Sequence, residues 1–174
     1  MSWLLESQTL LHFERMYHSG SVPTAQQQVE YEARLDTGDD NPGSRLLTVV
    51  DRTASISITG VLTQAPDFFA MFWGGGNTTY RDINAALALA DSDLNIDDIT
   101  LEIDSPGGQF AGLFDTIGVL QQTKKYITAR ISNMGASAAY AIASQADNIV
   151  AKNIAARVGS VGIVATIGVS DNIV

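Results

Sequence analysis

The chain contains no cysteine, which excludes both a disulfide framework and a thiolate metal site. Histidine is almost as scarce. His12 and His18 both precede the turn-rich stretch at 36–44, so a Ser-His-Asp triad cannot be assembled from the segment that follows. No HExxH pattern and no cluster of His, Asp and Glu at ligand spacing occurs, so no metal and no cofactor is expected. Basic charge is thin: 10 Lys and Arg against 19 Asp and Glu give a net charge of -9 and a pI near 4.4. Such a balance argues against sequence-nonspecific binding to nucleic acid or anionic lipid. No apolar run approaches the roughly 18–20 residues of a membrane helix. Met1 to Tyr17 is interrupted by Glu6, His12, Glu14 and Arg15, where a secretory signal needs an unbroken apolar centre. The expectation is a soluble, cytoplasmic protein without nucleic-acid or membrane partners.

What is present is an α/β pattern behind an N-terminal arm. A chain of 174 residues suits one domain with an attached segment. Residues 1–45 read as a helical arm and linker: an amphipathic helix to about Gly20, a polar helical piece from Thr24 to Leu35, and a linker from Asp36 to Ser44. The arm either packs on the domain or serves a partner or a second copy. The core is read as 46–174. Strands are expected at Leu47–Val50, Ala54–Leu62, Ile99–Asp104, Tyr126–Ile131 and Asn148–Ala151, with another opening at Gly159. Helices are expected at Thr79–Ala90, at Phe110–Gln122 and after Ser137. Between Gln64 and Thr79, four aromatics stand beside Gly74-Gly75-Gly76, which suits a flap over a groove or an anchored surface loop. That glycine run lacks the Lys-Ser/Thr of a phosphate loop. Strands alternating with helices imply a largely parallel sheet.

In such a sheet, reactive groups gather at the carboxyl ends of strands. Two successive β→α turns carry Ser105-Pro106-Gly107-Gly108 and Gly135-Ala136-Ser137-Ala138-Ala139-Tyr140. Pro106 fixes φ, and the glycines let bare backbone N–H groups face a ligand. Ser137 falls where a strand gives way to a helix, whose first N–H groups lack intrahelical partners. A hydroxyl there can act as a nucleophile, with one N–H from the Gly107/Gly108 pair and that of Ala138 holding an oxyanion. An ordinary helix start capped by Ser137 is the plain alternative. With both histidines upstream, the base left is a lysine, neutral when desolvated. The core offers Lys124 and Lys125, which precede a strand at the opposite end, and Lys152.

The order of LEIDSPGG, GASAAYAIASQADNIVA and RVGSVGIV resembles the signal peptide peptidase A family of serine proteases, over roughly Ala54 to Val164. The resemblance implies a Clp protease/crotonase-like α/β fold of repeated ββα units that forms oligomers. It implies Ser137 as catalytic nucleophile and Gly107, Gly108 and Ala138 as oxyanion hole. A groove for an extended peptide would involve Ser105, Pro106, Ala136, Ala139, Gly159 and Ser160. The family's lysine base would stand roughly fifty residues after the nucleophile, beyond Val174. The piece is therefore expected to be truncated, self-cleaved, dependent on a partner's lysine, or inactive. Ala138-Ala139 replaces the Gly-Gly of many members. The absent anchor and acidic arm resemble the phage head-maturation (capsid-assembly, protein C-type) branch. That branch implies a Ser-Lys endopeptidase processing scaffold and capsid proteins and itself, as a homo-oligomer inside an assembling capsid in the host cytoplasm. A soluble bacterial peptidase of the same family, a non-catalytic assembly protein keeping the shell, and a crotonase-like acyl-CoA enzyme are the alternatives.

Overall fold

Three strands with the same alternation build the centre of the molecule. The computed structural model describes residues 3–5, 43–67 and 76–162. Strands β3 (Thr53–Thr59), β6 (Asp98–Ser105) and β8 (Tyr126–Ala136) run parallel side by side. Their register stacks Ala54, Ile99 and Ile127 in one row, Ile56, Leu101 and Ala129 in the next, and Ile58, Ile103 and Ile131 in a third. All nine are buried. Each fully buried isoleucine or leucine contributes roughly 1.5–3 kcal/mol through apolar area removed from water. The opposite face is polar: Glu102 on β6 pairs with Arg130 on β8 at 3.4 Å and with Lys152 at 3.2 Å. The alternation of β-branched apolar residues with Ser, Thr and charge is what selects strand here.

The hairpin partner β2 (Leu47–Val50) adds antiparallel to β3 across a turn in which Asp51 takes a positive φ of 53°. On its other side, β8 is flanked in parallel first by β9 (Asn148–Ala151) and then, further along, by β10 (Arg157–Gly159). Helix α1 (Tyr80–Ser92) buries Ile83, Ala86, Leu87 and Ala90 on the core. It starts at Thr79, whose hydroxyl accepts from the Asp82 N–H at 3.1 Å. The apolar side of α2 (Leu113–Gln122) is supplied by Leu113 and Leu120. The short α3 (Ala138–Ala143) is buried through Ala138, Ala139, Ile142 and Ala143. The turn before β2 already rests on this layer, since a Cβ on Gly43 would lie 2.4 Å from the Ala86 nitrogen.

A second, smaller sheet has the order β1-β7-β4-β5. It comprises β1 (Trp3–Leu5), β4 (Val61–Thr63), β5 (Asn77–Thr79) and β7 (Gly107–Gln109). Strand pairs β3–β4 and β6–β7 each pass from the main sheet into this one; β7 leads directly to α2 and β4 leads through β5 to α1, so the expected ββα repeat is present with one added strand.

Several boundaries differ from the sequence reading. The strand expected over Ala54–Leu62 breaks at Gly60, whose φ of 68° turns the chain from one sheet into the other. A Cβ there would lie 2.1 Å from the Gly76 carbonyl oxygen. β8 runs five residues beyond Ile131, to Ala136. Its last part, rich in turn-forming residues, is held by parallel pairing with β10 and by Ser105 opposite Gly135 on β6. α2 begins at Leu113 rather than Phe110, after Gly112 at φ 90°. The expected N-terminal helix is contradicted at Trp3–Leu5, which is a strand because it pairs antiparallel with Gly107–Gln109. The rest of that helix, the Thr24–Leu35 piece, most of the linker and the aromatic-glycine segment at 68–75 lie outside the described residues.

Candidate active site

Both predicted turns lie at the carboxyl ends of adjacent parallel strands, β6 and β8. The first is stitched tightly. Ser105 is fully buried; its Oγ donates to the Gly60 carbonyl at 2.6 Å and accepts the Gly107 N–H at 3.1 Å. The Gly60 N–H in turn donates to the Asp104 carbonyl at 3.0 Å. The Asp104 carboxylate accepts from Asn133 Nδ2 at 2.6 Å and from the Met134 N–H at 3.1 Å. It thereby bridges β6 to β8 where their register shifts between Ile103 and Ser105. Gly107 has a φ of 96°, and a Cβ on Gly108 would lie 1.8 Å from the Leu62 carbonyl oxygen. Glycine is required at both positions for different reasons: one for its dihedral, the other for backbone contact. Tyr80 supports this strand from α1, donating its buried hydroxyl to the Gln109 carbonyl at 2.5 Å. Burial pushes that hydroxyl's pKa above the usual tyrosine range, so it stays a neutral donor.

The second turn carries Ser137. Its backbone sits at φ 56° and ψ -120°, a combination rarely adopted by a residue with a Cβ. Such a conformation costs on the order of 1–3 kcal/mol and persists only where the surroundings enforce it. Two hydrogen bonds do so: the Ser137 N–H donates to the Gly159 carbonyl at 2.8 Å, and the Ala141 N–H donates to the Ser137 carbonyl at 2.9 Å. The side chain does not cap the helix, which removes the plain alternative raised by the sequence. Its Oγ is buried and has no hydrogen-bond partner among the described residues. A strained serine on a strand-to-helix turn is the arrangement that presents the nucleophile in α/β hydrolases.

An apolar cleft of about 350 Å³ opens beside Ser137. Phe110, Leu113, Phe114 and Ile117 form one wall, Tyr140, Ala141 and Ser144 of the serine's own helix another, and Val161 and Gly162 the rim. Phe110 and Phe114 meet edge to face with centroids 5.1 Å apart. Leu113, Phe114 and Ile117 share one face of α2, and Phe110 joins them from the turn before it. Sequence reasoning passed over it, because an apolar stripe does not announce whether it meets core or cleft.

The predicted site residues divide accordingly. Gly107 and Gly108 follow β6, and Ser137 and Ala138 follow β8, two strands that pair in parallel with Ser105 opposite Gly135. Of the glycine pair, Gly107 has its N–H engaged by Ser105, while Ala138 opens α3 and its N–H has no partner within the helix. Three of the expected groove residues are buried. Ser105 is buried behind the turn as its internal brace, and Ala136 and Ala139 are buried, at 2% and 0% exposure, so their side chains belong to the core. Pro106 is half-buried, Gly159 supplies the carbonyl that holds the Ser137 N–H, and Ser160 is exposed at a φ of 55°. No basic side chain lines the cleft among the described residues. Lys125 Nζ donates to the Asp93 carbonyl at 2.5 Å and also to that of Ala90, closing the end of α1. Lys152 is held by Glu102 on the polar sheet face. No group of three or more metal-ligating side chains occurs among the described residues, and no described helix is long and apolar enough to cross a membrane.

The fold thus sets a strained, uncapped serine beside an apolar cleft. Comparison of the sequence with known proteins narrows this. Residues 119–172, which include Ser137, match the profile of peptidase family S49. The chain is 32% identical over 148 residues to capsid assembly protease C of Escherichia phage lambda, covering 83% of this chain and 33% of that protein. It is 30% identical over 155 residues to head-tail preconnector protein GP5 of Enterobacteria phage P21, covering 83% of this chain and 30% of that protein. The sequence thus resembles peptidase family S49 over that segment and two phage head proteins over most of its length. It spans about a third of the length of these curated relatives. Among solved structures it overlaps in part with a putative enoyl-CoA hydratase/isomerase from Acinetobacter baumannii, with 13% identity, a TM-score of 0.47, and coverage of 59% of this chain and 46% of the other. An enoyl-CoA hydratase from Polaromonas sp. JS666 gives 18% identity, a TM-score of 0.45, and coverage of 59% and 46%.

Proposed function

We propose that this chain is the nucleophile-bearing part of a serine endopeptidase that processes scaffold and capsid proteins, and itself, during phage head assembly. The observation that carries the chemistry is the buried Ser137 Oγ, unpartnered among the described residues and held at a strained turn beside the cleft. The two phage relatives support the biological setting.

In this reading the Ser137 oxygen attacks the carbonyl carbon of an extended peptide while a base takes its proton. The oxyanion that forms is held by the N–H groups of Gly108 and Ala138; losing one such donor typically costs about 100- to 1000-fold in rate. Collapse expels the amine, which receives the proton back from the base. Water then attacks the acyl carbon, delivers its proton to the base, and releases the acid with Ser137 restored. The base is a lysine that belongs to the longer protein, or to a neighbouring copy in a homo-oligomer.

A fluorophosphonate probe applied to the chain extended by its downstream segment tests this. Labelling that disappears in Ser137→Ala is expected. Self-cleavage of the extended Ser137→Ala protein at the wild-type rate would overturn the assignment. A non-catalytic assembly role is favoured by one observation, the lack of a basic group in the cleft among the described residues; the probe's failure to label the extended protein selects it.

A further inference from the structure

Strand β7 begins at Gly107, and one of its flanks is taken by β4 through Leu62 opposite Gly108. Its other flank would be an open edge, a row of backbone groups leading out of the SPGG turn and ready to receive an extended chain. That flank is occupied by the protein's own residues. Trp3–Leu5 lies antiparallel along it, with Leu5 opposite Gly107, Leu4 opposite Gly108 and Trp3 opposite Gln109. The direction matters. A chain running antiparallel to β7 travels from Gln109 toward Gly107, so its later residues and their carbonyls approach the turn that faces Ser137. Among the described residues the pairing is three residues long, and two of its three partners are glycines that offer no side chain for a cross-strand contact. It is therefore built to be displaced.

From this pairing we infer that Trp3–Leu5 is a resident strand in the peptide-binding edge of the enzyme, an internal competitor that substrate must evict. The inference rests on the proposed reading of Gly108 and Ser137 as parts of one peptide-cutting site. A segment tethered to the same chain acts at an effective concentration on the order of millimolar. Against a free peptide binding at about 0.1 mM, such a competitor weakens apparent affinity on the order of tenfold.

The test measures binding of a fluorescein-labelled peptide with the sequence Ser-Trp-Leu-Leu-Glu, that of residues 2–6, by anisotropy. The full chain carrying Ser137→Ala is compared with the same chain also carrying Leu4→Pro and Leu5→Pro, which removes two N–H donors from the resident strand. Binding on the order of tenfold tighter to the proline variant supports the inference; equal affinity overturns it. Amide exchange at Gly108 and Gln109 separates this from the proposed function. If those amides exchange faster in the proline variant while neither protein binds peptide, the strand is resident but the edge is no peptide site, and the proposed reading fails instead. Should the proline variant not fold, the unsubstituted strand is followed directly by NMR. Saturating peptide is expected to move the Leu4 and Leu5 amide resonances to random-coil positions, and resonances that stay in place with peptide bound elsewhere overturn the inference.

Discussion

Replacing Ser137 should make the protein more stable, in two separable steps. The serine carries two local costs: a buried hydroxyl without a partner among the described residues, and a Cβ at φ 56°, ψ -120°. Ser137→Ala removes the first and keeps the second. An unpaired buried hydroxyl costs about 1 kcal/mol or somewhat more, so the alanine variant should gain about that much. Ser137→Gly removes both. Relief of backbone strain worth on the order of 1–3 kcal/mol is offset by roughly 0.5–1 kcal/mol for the extra freedom of glycine in the unfolded chain. The expected order is glycine above alanine above serine, with the glycine variant about 2–3 kcal/mol above the parent. For a chain of this size that is a rise of roughly 4–12 °C in Tm. Urea titrations of the three proteins give the free energies, and unchanged m-values confirm that the denatured states are comparable. An alanine variant less stable than the parent would mean the hydroxyl is satisfied after all. A glycine variant no better than alanine would mean the turn is unstrained, and the argument for a presented nucleophile would lose its footing.

Other substitutions probe the surroundings. Gly108→Ala places a Cβ 1.8 Å from the Leu62 carbonyl oxygen, a backbone atom that cannot step aside, and should cost about 3 kcal/mol or more or prevent folding, as read by urea midpoint. Gly135→Ala meets only Ile131 Cδ1 at 2.8 Å, so it should cost about 1–3 kcal/mol, with part of the loss recovered in combination with Ile131→Val. The Asp97 carboxyl is held below its ordinary pKa by hydrogen bonds from Arg52, one of them at 2.5 Å. A depressed folded-state pKa gives a contribution present above the unfolded value of about 3.8 and lost as pH falls through the folded value. In Arg52→Ala the Asp97 carbon resonance should titrate at higher pH than in the parent; an unchanged midpoint refutes the pairing.

The two β→α turns were easier to read from sequence than the scaffold's corners. Pro106, the Gly107-Gly108 pair and a serine followed by small helix formers are local signals, and the expected strand-turn-helix contexts formed around them. The three central strands announced themselves by alternation, as at Ile99, Leu101 and Ile103. What escaped was set by distant partners. Gly60 inside a plausible strand gives no hint that the backbone of Gly76 will press against it. Ser132 to Ala136 has the composition of a loop and becomes strand because β6 and β10 lie beside it. Trp3–Leu5 suits a helix by spacing and is drawn into a sheet by an edge more than a hundred residues away. Ser105, Ala136 and Ala139 were placed on the groove because they neighbour reactive positions in sequence. In the structure all three side chains are buried.

The hydrogen bond from the Ser137 amide to the Gly159 carbonyl sets a timetable. Synthesis proceeds from the amino end, so the central strands and the SPGG turn are made before the clasp that bends the serine into its strained pose. A nascent chain that has not yet produced β10 has the hydroxyl but no restraint to hold it cocked. The strained turn at Ser137 is thus completed only once β10 has been made.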